Sequence, residues 1–448
     1  MCQPAPPVDD IVSDLISLIE DKRARVGIIG LGYVGLPLLL TFAAKGFTLL
    51  GFDIDDTKIA QLKTGCSYIS HIPAARVREA FTGGTSDATS DFGRLSEADA
   101  ILVCVPTPLG PHGEPDLGAV ETTARAIATA LRRGQLVVLE STTYPGTTSE
   151  LVKPILETSG LRCGKDFFLA YSPEREDPGN PEFSTSGIPK VVGGVSPACL
   201  QVAARLYEAI VPRVALVSSP EVAEATKMLE NIFRAVNVGL VNELKVLFQR
   251  MGIDIWEVID AASTKPFGFM RFTPGPGLGG HCLPIDPYYL TWRAREFGVP
   301  TRFIELAGEI NTSMPAYVIS RLVEELNKRG KCLRGSRILV LGMAYKPNVD
   351  DLRESPTLRL IELLRTQGAE VSYNDPHIPR LHRTRRYDFA MSSVELTAET
   401  LGSSDCVVIV TDHAAYDWEF IVEHAGLTLD TRNATRAVQG HREKIRFA

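Results

Sequence analysis

Metal-spaced cysteines are missing from this chain. Its eight cysteines stand at 2, 66, 104, 163, 199, 282, 332 and 406. They form no C-x-x-C pair and no metal pattern, so no metal is expected. Scattered thiols without a secretory leader fit a reducing compartment, and the expected location is the cytoplasm. No apolar run reaches about eighteen residues, which excludes a membrane-spanning helix and membrane insertion. The first residues lack the basic-then-apolar layout of a signal peptide. No block of Lys and Arg stands out. The nearest, residues 380–386, reads as solvated surface, and a net charge of −7 argues against nucleic acid as partner.

What is present is a long chain able to bury real cores. At 448 residues two to three domains are expected, and 44% apolar with 23% charged residues is ordinary for a globular protein. The densest punctuation is Gly275-Pro-Gly-Leu-Gly-Gly-His-Cys-Leu-Pro-Ile-Asp-Pro287. No helix or strand tolerates so much Gly and Pro, so this is a loop whose backbone approaches something closely. It delivers Cys282 to a run at 288–297 that predicts a helix ending at Gly298. A thiol at a helix N-terminus is favoured as thiolate, which suits a nucleophile. A cysteine buried under a turn is the other reading, with Asp286-Pro287 as N-cap and first helical residue.

Residues 11–19 carry helical spacing and predict a short leading helix. A buried strand then enters Gly30-Leu-Gly32-Tyr33-Val34-Gly35, a helix follows to Gly46, and a second strand at 48–52 closes on Asp53. In that order the pattern is a dinucleotide fingerprint. Gly30 makes the tight turn, Gly32 gives the pyrophosphate room, Gly35 packs the helix, and the phosphates sit on the helix N-terminus. Asp53 suits a ribose 2′-hydroxyl and disfavours a 2′-phosphate, so the expected cofactor is NAD. Lys58 either reaches the adenosine ribose or is a solvated helix lysine. Strands at 100–105 and 136–140 end at Thr107 and Thr142. These lie on the edge where open α/β sheets bind ligands, or are plain turn residues. A strand at 167–171 leads to Ser-Pro-Glu174-Arg-Glu-Asp-Pro, a loop suited to hydroxyl binding, water activation or mere solvation. Short strands at 191–194 and 214–217 complete one doubly wound domain.

One long helix is expected from Ser219 to Met251, roughly 48 Å at 1.5 Å per residue. Lys227 and Asn231 lie four apart on it, hence on one face. They either hold an oxygen bearing developing negative charge or form an exposed polar stripe. Further helices are expected at 286–298, 301–313 and 315–329. A second α/β unit follows, with strands at 337–341, 370–373, 405–411 and 428–430 and no Gly-x-Gly-x-x-Gly. Lys346, Arg353 and Arg432 lie in its loops or strand ends, where cations meet phosphates or simply solvent. The expected fold is α/β, two Rossmann-like doubly wound domains joined by a long central helix.

Gly30-Leu-Gly-Tyr-Val-Gly-Leu-Pro37, Lys227-x-x-x-Asn231 and Gly279-Gly-His-Cys-Leu-Pro-Ile-Asp286 together resemble the UDP-glucose/GDP-mannose dehydrogenase family from about residue 24 to the end. Residues 140–148, 172–180 and 264–270 look most like its UDP-N-acetylglucosamine 6-dehydrogenase branch, which serves bacterial surface polysaccharides. The resemblance implies domains at 1–214 (NAD-binding), 215–330 (central helical, with the cysteine loop and dimer interface) and 331–448 (UDP-sugar-binding). It implies a four-electron oxidation of a sugar C6 alcohol with two NAD. Cys282 would carry a thiohemiacetal and then a thioester. Lys227 and Asn231 would stabilise its oxygens. Asp286 would act as general base or position water, and Glu174 and Thr142 would serve water or substrate. Asp53, Lys58, Thr107 and Arg353 would contact NAD. Lys346, Arg432, Gly279 and the loop from Phe267 to Arg271 would face the UDP-sugar.

One position departs from the family. Relatives acting on UDP-glucose carry a second Glu four residues after the Pro-Glu, and here it is Pro178. Glu176 or Asp177 takes that role, or nothing does. His281 either tunes the thiolate or fills space. Two-electron β-hydroxyacid dehydrogenases share the Lys-x-x-x-Asn pair, and an NAD-binding sensor is the non-enzymatic alternative. UDP-N-acetylmannosamine, UDP-N-acetylgalactosamine and UDP-glucose stand beside UDP-N-acetylglucosamine as substrates. A homodimer or larger assembly is expected from the long helix.

Overall fold

The structure is a computed structural model and describes residues 8–69, 72–110, 113–176, 187–280, 283–384 and 386–448. The chain forms two compact units. One is Met1–Glu230 with Tyr288–Val299, and the other is Asn231–Pro287 with Pro300–Ala448.

The first unit is built on a sheet of eight described strands. In chain order they are β1 (Arg25–Ile29), β2 (Thr48–Phe52), β3 (Ser86–Thr89), β4 (Ala100–Val103), β5 (Leu136–Leu139), β6 (Phe168–Tyr171), β7 (Lys190–Gly194) and β8 (Val214–Val217), arranged β3-β2-β1-β4-β5-β6-β7-β8. Register is parallel throughout, with Gly27 opposite Leu50 and Ile101. The exception is β6 against β7, which is antiparallel. Strands β4 and β5 are buried at every residue. Such continuous apolar strands are the mark of a parallel sheet covered on both faces. Alternate residues feed two cores. Ile28, Leu102 and Val138 face one with Leu36 and Leu39, while Ile29, Ile101 and Val137 face the other. The leading helix, Val8–Glu20, joins the first core through Ile11, Val12, Leu15 and Ile19. Strand β3 was not expected. It is only four residues long, and its Ser-Asp-Ala-Thr lacks any apolar alternation.

The second unit carries a parallel sheet of β9 (Arg337–Leu341), β10 (Glu370–Asn374), β11 (Cys406–Ile409), β12 (Thr428–Asp430) and β13 (Ile445–Phe447), ordered β10-β9-β11-β12-β13. The last strand is an addition to the sequence expectation, again too short to show a period. The expected pair of helices at 301–313 and 315–329 is a single helix, Arg302–Asn327, with Pro315 inside it. Proline removes one backbone bond. Here Ala307, Asn311, Met314, Val318, Leu322 and Leu326 keep one buried face across it, and that packing outweighs the local cost. The long helix runs Pro220–Met251. The Ser219 hydroxyl accepts from the Val222 N–H at 3.4 Å, as its N-cap role requires.

Candidate active site

In the first unit the chain leaves β1 through Gly30, at φ 89°. That is left-handed backbone open to glycine, and a Cβ there would sit 2.6 Å from the Cys104 carbonyl oxygen. The Gly30 N–H donates to the Phe52 carbonyl at 2.8 Å, tying the turn to β2. A Cβ on Gly35 would lie 2.0 Å from the Gly30 oxygen, so the helix Gly35–Ala44 starts as close to the turn as backbone allows. Around Gly32 the space within 4 Å is open, and Tyr33 and Val34 are half-buried. Asp53, 6% exposed, accepts from the Leu31 N–H at 2.9 Å, the Asp55 N–H at 3.0 Å and Lys58 Nζ at 3.2 Å. Lys58 is therefore paired with Asp53 itself.

Thr107 and Thr142 form one linked pair. The Thr107 hydroxyl donates to the Thr142 carbonyl at 2.7 Å. Tyr289, from helix Asp286–Glu296, donates to the Thr107 carbonyl, and Trp292 packs on Tyr144 with ring centroids 5.2 Å apart. Glu224 holds the next turn, accepting from the Gly146 N–H at 2.6 Å, the Thr148 N–H at 2.9 Å and the Thr148 hydroxyl at 2.7 Å. Burial pushes its carboxyl up to about 7. Three residues on, Lys227 is 8% exposed, and its Nζ donates to the Glu174 carbonyl at 2.5 Å.

The Glu174 carboxylate sits in a buried charge cluster that sequence reasoning missed. Its Oε1 accepts from the Arg175 and Glu176 N–H groups, each at 2.7 Å, and its Oε2 from Lys190 Nζ at 3.1 Å. Lys190 also reaches Glu140 Oε2 at 2.5 Å. Burial raises the Glu174 carboxyl, but Lys190 and the two backbone donors outweigh it, and the net shift is downward. Glu140 ending an apolar strand and Lys190 opening another were the only signals.

In the second unit Asn231, 4% exposed, donates from Nδ2 to Asp286 Oδ2 at 2.5 Å, and Asp286 is 2% exposed. Of the two readings of this pair, the exposed polar stripe does not fit this burial. Both Lys227 and Asn231 are buried, one turn apart on helix Pro220–Met251. Asp286 opens helix Asp286–Glu296, and residues 283–285 form the turn before it. The glycines of the cysteine loop serve close approach, as their density predicted. A Cβ on Gly275 would lie 2.3 Å from Arg432 Nη1, one on Gly279 2.7 Å from Tyr345 Cβ, and one on Gly280 2.9 Å from the Tyr345 ring. The Gly280 N–H donates to the Arg353 carbonyl at 3.0 Å, and the Gly275 N–H to Asn242 Oδ1 at 2.9 Å. This loop is therefore seated against residues 345–356 and Arg432.

Arg353 forks onto Asp351, with Nη2 2.7 Å from Oδ2. Lys346 Nζ lies 5.8 Å from the Tyr345 ring centroid. Arg432 donates from Nε to the Val410 carbonyl at 2.9 Å. Lys245, unnoticed in the sequence, is 3% exposed with Nζ 3.3 Å from the Thr431 carbonyl. Burial pushes it down to about 7. Phe267 and Arg271 lie exposed, the latter paired with Asp260 at 2.5 Å. Cys282, His281, Asp177 and Pro178 lie outside the described residues. Among the described residues no group of three or more His, Cys, Asp or Glu is placed to hold a metal, and no helix is long and apolar enough to cross a membrane.

Comparison with known proteins gives this geometry its context. Three domains of one family match in order: the NAD binding domain at residues 24–211, the central domain at 221–313 and the UDP binding domain at 339–437. A UDP-N-acetyl-D-glucosamine 6-dehydrogenase of Pseudomonas aeruginosa is 37% identical over 397 residues, covering 88% of this chain and 92% of that protein. An NDP-N-acetyl-D-galactosaminuronic acid dehydrogenase of Ralstonia nicotianae is 34% identical, over 89% and 93%. The solved UDP-D-ManNAc dehydrogenase of Pyrococcus horikoshii superposes with a TM-score of 0.85 at 34% identity, over 94% of this chain and 98% of that one. The chain belongs to the UDP-glucose/GDP-mannose dehydrogenase family and is an NAD-dependent nucleotide-sugar dehydrogenase.

Proposed function

We propose that the protein oxidises the C6 alcohol of UDP-N-acetylglucosamine to the uronic acid in a four-electron reaction through Cys282. The observation that carries this reading is the burial of Lys227 and Asn231, one turn apart on one helix, against Glu174 and Asp286 respectively. A buried ammonium and amide are donors suited to an oxygen that gains negative charge.

The turn at Gly30 fits a dinucleotide, because Gly35 and Gly30 clear the helix N-terminus and the space at Gly32 is open. Gly30, Gly32, Tyr33, Val34, Gly35, Asp53, Lys58, Thr107, Thr142 and Arg353 are the residues to hold it. NAD held there would supply the hydride acceptor for each of the two oxidations. Lys227 and Asn231 stabilise first the alkoxide and then the thiohemiacetal oxygen. The Cys282 thiolate forms a bond to the aldehyde carbon, which holds the intermediate until the second oxidation gives a thioester. Asp286 takes a proton from water, whose oxygen bonds to the acyl carbon as the carbon–sulfur bond breaks and the thiolate leaves. Glu174 and Thr142 orient that water. Lys346, Arg432, Gly279, Phe267 and Arg271 hold the UDP-sugar, with cations on the diphosphate.

We place the domain boundaries at 1–214, 215–330 and 331–448, and the protein in the cytoplasm as a homodimer. Leu229, Phe233, Leu240, Leu247 and Met251 are all more than 45% exposed, at four- and seven-residue spacing along one helix. An apolar stripe of that kind suits a second copy of the same helix. Light scattering should give twice the chain mass, and Leu240→Asp should halve it.

The substrate is tested by assaying UDP-N-acetylglucosamine, its galacto and manno epimers and UDP-glucose side by side. UDP-N-acetylglucosamine should give the highest kcat/KM and a uronic acid by mass spectrometry. A higher value for either epimer would reassign the sugar, the same family including enzymes of all three kinds among its relatives.

A further inference from the structure

Four ionisable groups from four separate elements meet inside the first unit, and the chemistry above uses one of them. Glu140 follows β5, Glu174 follows β6, Lys190 opens β7 and Tyr207 lies near the end of helix Pro197–Glu208. Lys190 Nζ lies 2.5 Å from Glu140 Oε2, 3.1 Å from Glu174 Oε2 and 3.3 Å from the Pro173 carbonyl. The Tyr207 hydroxyl donates to Glu140 Oε1. Lys190 and Glu140 are 3% and 1% exposed. Among the described residues, other titratable or charged neighbours are Cys104, whose thiol is raised by burial and the two carboxylates, Arg175, paired with Glu230, Glu176, whose N–H donates to Glu174, and Lys227.

Stability alone does not call for this array. A buried ion pair is often no more stable than apolar residues of the same volume, and a second carboxylate beside one ammonium adds repulsion. The geometry has a direction instead. Glu140 is held from one side by Tyr207 and from the other by Lys190. That fixes the ammonium, whose next donor meets Glu174. Glu174 Oε1 then accepts from two backbone N–H groups and Oε2 from Lys190, which leaves acceptor capacity on Oε2, while its own carbonyl receives Lys227. Lys190 therefore sets one end of a residue whose other end meets Lys227.

We infer that Lys190, held by Glu140 and Tyr207, is a positioning residue that fixes the Glu174 carboxylate for thioester hydrolysis. This rests on the proposed role of Glu174 in orienting water. In that step the water oxygen bonds to the acyl carbon, one water proton passes to Asp286, the carbon–sulfur bond breaks and the sulfur leaves as thiolate. The carboxylic acid formed loses its proton to solvent. Glu174 must stay ionised to accept from the water. Burial alone would push its carboxyl up, and Lys190 is the largest effect in the other direction. Removing the ammonium moves the Glu174 titration up, and the acid limb of hydrolysis follows it.

The test is single-turnover hydrolysis against pH, with NADH counted and the acyl-enzyme followed by intact mass, in the full-length enzyme. Lys190→Met should accumulate acyl-enzyme, slow hydrolysis by about tenfold or more, leave the Kd for the sugar unchanged while KM falls with kcat, and move the acid limb upward. Lys190→Arg should return the limb toward the native position. Lys190→Met leaves two buried carboxylates facing each other, so two milder variants accompany it. Lys190→Met with Glu140→Gln keeps the net buried charge, and Tyr207→Phe removes one hydroxyl and should give a smaller shift of the same sign. Folded variants with native hydrolysis and a native pH profile would overturn the inference. Glu174→Gln separates the two claims. If it slows hydrolysis while the Lys190 and Tyr207 variants do not, Lys190 is structural and Glu174 keeps its role. If Glu174→Gln is itself silent, both fall.

Discussion

Gly30 and Gly342 occupy the same place in two sheets of the same local order, β2-β1-β4 and β10-β9-β11. Each follows the central strand at nearly the same positive φ, 89° and 88°, and each donates its N–H to the end of the neighbouring strand, at 2.8 Å to Phe52 and 3.0 Å to Asn374. Beyond that point they part. After Gly30 the helix begins at Gly35, while after Gly342 it waits until Pro356. The acids at the strand ends part likewise. Asp53 accepts from Leu31, Asp55 and Lys58. Asp375 accepts from the N–H groups of Met343, Ala344, His377 and Ile378 and from His413 Nε2, which saturates a carboxylate. One sheet spends its turn on a close helix N-terminus and leaves an acid with capacity for a hydroxyl. The other spends the same turn and acid on holding its own long loop. Strand order sets the edge where ligands bind, and the loops decide which ligand.

The largest effect that sharpens this contrast is expected at the acids. Asp375→Ala strands five donors, four of them backbone, and should cost on the order of 4 kcal/mol in denaturant unfolding with NAD affinity unchanged. Asp53→Ala should cost less stability and weaken NAD binding by about tenfold or more, a loss of ~1.4 kcal/mol. If Asp375→Ala weakened NAD as much as Asp53→Ala, the two turns would share a function after all. Isothermal calorimetry on both variants decides it.

A smaller contrast lies within the first turn. Gly35→Ala places a Cβ 2.0 Å from backbone and should lower the melting temperature sharply. Gly32→Ala meets no protein atom within 4 Å and should change stability by no more than about 0.5 kcal/mol. Its expected effect is on NAD affinity alone, as the proposed placement of the cofactor at that open space requires. A stable Gly32→Ala protein with native affinity would contradict that.

The smallest contrast is in pH. Glu224 titrates at about 7 in the folded first unit, above its ordinary 4.5, because it is buried. Its contribution is full below the ordinary value and is lost as pH rises through 7. Asp375 is shifted the other way. Burial raises it, but His413 and backbone donors bring it below its ordinary 3.8. Its contribution is present above that value and is lost as pH falls through the depressed one. Melting curves between pH 5 and 8 should therefore fall less steeply in Glu224→Gln than in the native protein, and an unchanged slope would reject the assignment.

Which of these features the sequence showed follows from distance along the chain. The Gly30 turn, Asp53 and the helix face of Lys227 and Asn231 are local patterns, and the cysteine loop announced its close approaches through its glycines. Short strands β3 and β13 gave no period, and packing across Pro315 overrode a local stop. Lys190 meets Glu140 across 50 residues, Tyr207 meets Glu140 across 67, and Glu224 meets Gly146 across 78. No local pattern encodes such pairs. The only hint was a charge beginning or ending a strand that is otherwise apolar.

The central claim is that Cys282 carries the sugar between two oxidations. With NAD in excess and UDP-N-acetylglucosamine limiting, NADH formed per sugar consumed measures it directly. Two per sugar in the native enzyme, with Cys282→Ser stalling after the first oxidation, is the predicted result. One per sugar in the native enzyme would contradict the thioester and leave a simple alcohol dehydrogenase.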